Sequence, residues 1–269
     1  IKMYHTVRGF GDFETTQNDL TSFWEFCNGN DLFLNIDKCY FVRFSRNSNI
    51  IKYDYKLNDT YIKQTDIVKD LGVFLDEKLS FSYHINTIVC QSNKMLGFID
   101  RTCKELKHPK ALIALYHAFV SSKLSFASVI WNPLSSTYIQ RIESVQNKFL
   151  KSLSYKIGTP VLDGDYESIR KKFNLMTLES KRLMSDLCAA HKIINKFDCP
   201  YLLSKMSFNI PDRNFRHKSF FKVPYCRTNL GLNAPLVRIQ KSYNNTAADL
   251  DLFSASELTF KNCLKQRLV

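Results

Sequence analysis

The run Lys69-Asp70-Leu71-Gly72-Val73-Phe74-Leu75-Asp76-Glu77-Lys78-Leu79-Ser80-Phe81-Ser82-Tyr83-His84-Ile85 is where the chain changes its hydrophobic repeat. Before it, apolar residues come in short β-branched and aromatic runs; after Phe81 they recur about every 3.6 residues, as on one face of a helix. Upstream, Tyr40-Phe41-Val42-Arg43-Phe44, Ile50 to Tyr55 and Ile67 to Leu75 predict strands joined by tight Asn, Ser, Asp and Thr connections. Asn47-Ser48-Asn49 has hairpin-turn composition, since Asn tolerates positive φ. Earlier still, Leu20, Phe23 and Phe26-Cys27 lie at helical spacing between Asp12 and Cys27, and Asn28-Gly29-Asn30 ends that helix.

Downstream, Ile85, Ile88, Val89, Met95, Leu96 and Ile99 form one stripe, and Leu112, Leu115, Tyr116, Phe119, Val120 and Leu124 form another that Pro109 opens. Trp131-Asn132-Pro133 breaks the chain before Thr137-Tyr138-Ile139-Gln140, a capping-box pattern leading into Ile142, Val145, Phe149 and Leu153. Gly158-Thr159-Pro160 stops this segment, and a further helix runs from about Leu178 to Lys196 with Leu183, Leu187, Ala190 and Ile194 on one side. Pro200, Pro211, Pro224 and Pro235 make residues 198–245 read as extended, weakly regular chain, followed by a short helix over about Ser254 to Leu268. The expected class is α+β, with a small antiparallel sheet over residues 1–79, helices over 80–157 and a helical to irregular region over 158–269.

With 269 residues, 45% of them hydrophobic, the chain can bury a core, which excludes a disordered tail or a fibre. Its net charge of +13 is unevenly placed: residues 1–100 sum to −2, residues 101–200 to +8 and residues 201–269 to +7. An excess confined to the later part points to nucleic acid or another acidic surface, with a merely solvated basic face as the alternative. Eight cysteines without a Cys-x-x-Cys pair imply reduced thiols and an intracellular setting. No apolar run reaches the roughly 18 residues of a membrane span, and Ile1-Lys2-Met3-Tyr4-His5 has no leader pattern, so no membrane partner is expected.

Spacing alone announces no chemistry. A phosphate-cradling Gly loop, a Gly-x-Ser-x-Gly elbow and a His-Glu-x-x-His pair are all missing from the sequence. Cys188-x-x-His191 with Cys199, His217 and Cys226 has the residue types of a zinc site but no second close pair, so Cys188 reads as core and no metal is expected. Asp249-x-Asp251 reads as the solvated start of a helix.

Several strings, taken in order, carry a family resemblance. Leu34-Asn35-Ile36-Asp37-Lys38-Cys39, Phe44-Ser45-Arg46, Lys69 to Asp76 and Leu79-Ser80-Phe81 with His84-Ile85 are similar to the region after the active site in reverse transcriptases of jockey-type non-LTR retrotransposons. Leu96-Gly97-Phe98-Ile99 with Arg101, Leu115 to Val120, Leu124 to Pro133 and Ile142 to Leu150 continue it, and Asn233-Ala234-Pro235 with Arg238 and Asp249 to Phe253 extend it loosely. Phe26 stands where the family usually has Trp, and Ser125 where it has Glu or a related residue.

The resemblance implies the end of a polymerase palm, a hairpin that grips the primer terminus, and a helical thumb. It places Asp70-Leu71-Gly72-Val73 in the hairpin, with Leu71 and Gly72 against a nucleic-acid strand, and Lys38 where polymerases often carry a general acid near the leaving pyrophosphate. Family polymerisation needs Mg²⁺ clamped by carboxylates that include an adjacent Asp pair. No Asp-Asp occurs in this sequence, and Ile1-Lys2-Met3-Tyr4 matches the residues that follow that pair. The expectation is a truncated RNA-directed DNA polymerase, inactive alone and without a cofactor of its own, that binds RNA or an RNA–DNA hybrid through the phosphate backbone. Arg101, Lys104, Lys107, Lys110, Lys148 and Lys151 would form the phosphate-tracking face. A functionless transposon remnant and a repurposed basic protein-interaction module are the alternatives.

Overall fold

The computed structural model describes residues 1–47, 51–159, 164–196, 199–209 and 219–268. Ser48 and Asn49 of the expected turn, Pro160, Pro211 and His217 therefore lie outside the described residues. The chain is mixed α+β, 58% helical and 7% strand, and divides into two compact units, Ile1–His84 and Ile85–Val269. The charge divides with it: 10 basic and 12 acidic residues fall in the first unit, 28 and 13 in the second.

In the first unit, helix α1 (Phe10–Gly29) begins where Asp12 turns back to accept hydrogen bonds from Arg8 N and Gly9 N, satisfying amides that the first turn leaves without a partner. Its apolar side meets an aromatic cluster in which Phe13 stacks on Tyr53 at 5.2 Å and Tyr55 packs edge-on against Phe41. A one-turn 3-10 helix, Ile36–Lys38, leads into strand β1 (Tyr40–Phe41). Strands β2 (Lys56–Leu57) and β3 (Thr60–Tyr61) form a short hairpin, and β4 (Lys63–Gln64) pairs with β1. Strands β5 (Ile67–Asp70) and β6 (Val73–Asp76) form the longest ladder, in the register Asp70 opposite Val73 through Ile67 opposite Asp76.

Two strand expectations need correction. Among the described residues there is no single antiparallel sheet but three two-stranded ladders, and β1 with β4 is parallel. Residues 51–55 are not a strand: Tyr53 and Tyr55 spend their aromatic surface on α1, and the Arg43 guanidinium donates to the carbonyls of Ile51 (3.0 Å) and Tyr53 in place of a ladder. Phe26 is exposed, whereas Trp24 packs beside the cluster of Phe13, Tyr55, Leu57 and Ile62.

Asp76 governs the exit from β6. Its carboxylate accepts from Lys78 N (3.1 Å), Ser80 N (2.9 Å), Ser80 Oγ (3.0 Å) and Phe81 N (2.8 Å). That network holds Leu79 and Phe81 at positive φ and delivers the chain to α2 (Ser82–Thr102). The change of repeat read at Phe81 is thus a real change of element, made by one carboxylate.

In the second unit, α3 (Pro109–Tyr116) starts with Pro at its first position, where a missing N–H costs nothing. A π-turn, His117–Ser121, then joins it to α4 (Ser122–Ser125). This wider turn spaces the buried residues Leu112, Tyr116, Val120 and Leu124 by four and rotates Phe119 outward to 47% exposure, correcting its expected place in the stripe. Then follow α5 (Ser128–Trp131), α6 (Ser136–Lys156), α7 (Tyr166–Lys172) and α8 (Leu178–Asn195). Helix α6 starts two residues earlier than the Thr137 pattern implies, with Ser135 as its extended N-cap and no side-chain capping bond. Thr177 caps α8 by accepting from Ser180 N at 2.9 Å.

The segment expected to be irregular also contains helices: α9 (Pro200–Ser204), α10 (Asn229–Leu232) and α11 (Pro235–Thr246), before α12 (Glu257–Leu268). Pro200 and Pro235 read as breakers, yet each occupies the first turn of a helix, the one place where proline favours it. Ile239 and Tyr243 on α11 and Phe260 and Leu264 on α12 close over Leu187, Ala190 and Ile194 of α8. Helix α8 is the hub, packed against α4, α5, α6, α11 and α12.

Candidate nucleic-acid interface

In the first unit, Leu71 and Gly72 form the two-residue tip of the β5–β6 hairpin, with φ of 44° and 91°. Two positive φ values are the signature of a type I′ turn, which matches the strand twist and ordinarily recruits Asn-Gly. A leucine there is strained, and this one is 85% exposed, so burial does not repay the strain. Lys2 pairs with Asp70 at the base of the tip, and the Lys69 ammonium lies 5.5 Å from the Phe74 ring centroid. Replacing Leu71 with Asn should raise stability by about 1 kcal/mol, read as a higher urea midpoint at unchanged m-value; a lower midpoint would refute the strain. Lys38 ends the 3-10 turn with its side chain in solvent.

The six cations expected to track phosphate all belong to the second unit. Helices α2 and α6 run side by side in the same direction, because Lys148 Nζ donates to Asn93 Oδ1 (3.1 Å), Ser152 Oγ to Asp100 Oδ1 (2.5 Å) and Lys156 Nζ to the Cys103 carbonyl (2.8 Å). Lys156 thereby caps a carbonyl at the α2 terminus, where the helix dipole favours a cation, and is withdrawn from solvent. Arg101 ends α2 and folds back so that its Nη1 would lie 3.3 Å from a Cβ at position 97; Gly97 leaves the guanidinium that room. Lys104 and Lys107 follow in the connection, Lys110 sits in the first turn of α3, and all are exposed, as are Lys148 and Lys151 on α6. None of these six is in an ion pair with a carboxylate among the described residues. An unpaired, exposed cation row of this kind attracts a polyanion and carries no base-reading geometry.

What the sequence did not reveal is a buried polar network. Arg238 on α11 donates Nε to Asp186 Oδ2 (2.9 Å), Nη1 to the Asn233 carbonyl (2.8 Å) and Nη2 to the Val129 carbonyl and to Asp186 Oδ1 (3.2 Å). Asn132 completes it, giving Nδ2 to Asp186 Oδ2 (3.2 Å) and taking Nε of Arg182 on Oδ1 (3.1 Å), while Asn233 Nδ2 reaches the Asn132 carbonyl (3.0 Å). Asn132 and the Asn233/Arg238 pair, widely separated resemblance strings, thus meet through Asp186 and staple α5, α8 and α11 together. Their role here is structural.

His191, half of the Cys-x-x-His pair, bonds the Ala255 carbonyl at 2.8 Å and stacks on Phe260, and Cys188 packs at the edge of the same core. Asp249 pairs with Arg267, and Asp251 accepts from Phe253 N and Ser254 N just ahead of α12. Among the described residues no three His, Cys, Asp or Glu side chains gather to hold a metal, and no helix is long and apolar enough to cross a membrane. No protein-family model, curated protein or solved structure matches the chain.

Proposed function

We propose that the chain is the palm-end, primer-grip and thumb part of a jockey-like non-LTR retrotransposon reverse transcriptase, and that it retains sequence-independent binding of RNA or an RNA–DNA hybrid. The observation that carries the binding is the row Arg101, Lys104, Lys107 and Lys110, exposed and without carboxylate partners among the described residues, with Lys148 and Lys151 on neighbouring α6. The strained, exposed Leu71–Gly72 tip is compatible with the primer-grip role that the resemblance assigns to that hairpin. The palm and thumb identities rest on the same resemblance. Since two-metal transfer needs paired carboxylates and these 269 residues hold no Asp-Asp, strand holding rather than strand extension is the activity proposed.

The test is a titration of a labelled RNA–DNA hybrid at several salt concentrations, with a protein of equal charge alongside. Engagement of about five phosphates gives a log–log slope of roughly −3.5 to −4.5. A flat response, or affinity no greater than that of the charge-matched control, overturns the reading.

A further inference from the structure

A cleft of about 400 Å³ in the second unit brings His117 of the π-turn and Lys181 of α8 together with Lys261 and Lys265 of α12. Asn174 and Asn262 add neutral polar groups, and Met184 and Leu258 supply an apolar wall. Among the described residues the lining contains no carboxylate. Glu143 acts on Lys181 only at a distance, without pairing with it: its carboxylate accepts from Leu178 N (3.3 Å) and Glu179 N (2.6 Å) at the start of α8.

The π-turn aims two groups at Lys181. Its Nζ donates to Ser121 Oγ at 2.8 Å and lies 3.3 Å from His117 Nδ1, which leaves one of three N–H donors for the cleft. Burial pushes the Lys181 amine down to about 8, and burial with Lys181 and Lys265 pushes His117 down to about 4, so His117 is neutral near pH 7 and accepts from the ammonium. None of Lys181, Lys261 and Lys265 has an ion-pair partner among the described residues. Lys181 is half-buried without the carboxylate that buried charge normally receives, and the exposed Lys261 and Lys265 add two more cations to the same concavity.

We infer that this cleft binds a phosphate monoester with an apolar or planar body, the chemistry of a mononucleotide. The dianion compensates the lysines, Asn174 and Asn262 offer amide donors, and Met184 with Leu258 provides a face for the body. The phosphate can belong to a free nucleotide or to a strand end. This inference is independent of backbone binding by the α2–α3 cations.

Equilibrium dialysis of the full chain against labelled AMP tests it. AMP should be retained, displaced by inorganic phosphate and not by adenosine. Lys181→Met should weaken retention roughly tenfold or more, and the exposed Lys265→Gln, which leaves the core untouched, should do so in a chain of unchanged fold. A 5′-phosphorylated trinucleotide competing better than AMP assigns the ligand to a strand end, and worse assigns it to a free nucleotide; both support the site. Absence of retention, displacement by adenosine alone, or full retention in Lys265→Gln overturns it. Replacing Arg101, Lys104, Lys107 and Lys110 with Gln should leave AMP retention intact; loss there would reduce the cleft to general cationic attraction and overturn this proposal, while the proposed function, which expects that variant to lose hybrid binding, would stand.

Discussion

Alanine in place of Asp186 should remove about 3–5 kcal/mol from the stability of the second unit, because truncating one partner of a buried ion pair strands the other charge. Asp186 and Arg182 are each 1% exposed, and both Nη atoms of Arg182 already lack a hydrogen-bond partner among the described residues. Without Asp186, Arg238 and Arg182 become two buried guanidiniums with no carboxylate between them. The loss is a large share of the roughly 5–15 kcal/mol that holds a typical domain. The double substitution Asp186→Leu with Arg238→Met should cost clearly less than the sum of the single changes, since an apolar pair leaves fewer charges behind. Urea midpoints of Asp186→Ala, of Asp186→Leu and Arg238→Met singly, and of the double variant measure this. A single-variant loss below about 1 kcal/mol, the scale of a surface pair, would show that the network is not stabilising α5, α8 and α11.

Replacing Arg101, Lys104, Lys107 and Lys110 together with Gln should weaken hybrid binding about 10²–10³-fold at 0.1 M salt and flatten the log–log salt slope by about three. Each phosphate contact releases close to one condensed counterion, so affinity and slope must fall together. All four side chains are exposed, and Gln is a good helix former, so the fold should be unchanged. Circular dichroism and the urea midpoint check that point. A variant that loses affinity at unchanged slope would have lost something other than phosphate contacts, and one that keeps both would move the binding face away from the α2–α3 connection.

The long one-sided stripes were legible because each is a local property: Ile85 through Ile99 and Leu183 through Ile194 each mark one helix by period alone, and Leu112 through Leu124 marks the run that α3, the π-turn and α4 share. Proline was misread where its meaning depends on position. Pro235 breaks a helix from within and opens one from its first turn, and only the packing of Ile239 and Tyr243 over α8 decides between the two. Residues 51–55 failed for a related reason, since aromatic alternation suits a strand equally well as a contact with α1. Phe119 left its stripe because the π-turn changes the period by less than one residue, too little to read from composition.

The same division runs through the candidate sites. Charge is additive along the chain, so the basic excess after residue 100 and the row from Arg101 to Lys110 within it could be named before any fold was known, and the Leu71-Gly72 tip was named through the resemblance alone. The Asp186 network and the His117–Lys181 cleft could not. Apart from the bond between Arg238 and Asn233, their members lie 50 to 109 residues apart where they bond, and no short-range pattern encodes which distant polar groups will share one buried space. Local spacing sets which elements form and which faces they bury; the pairing of far-apart charges, and the cleft left uncompensated among them, is decided only when α8 gathers α5, α11 and α12 around itself.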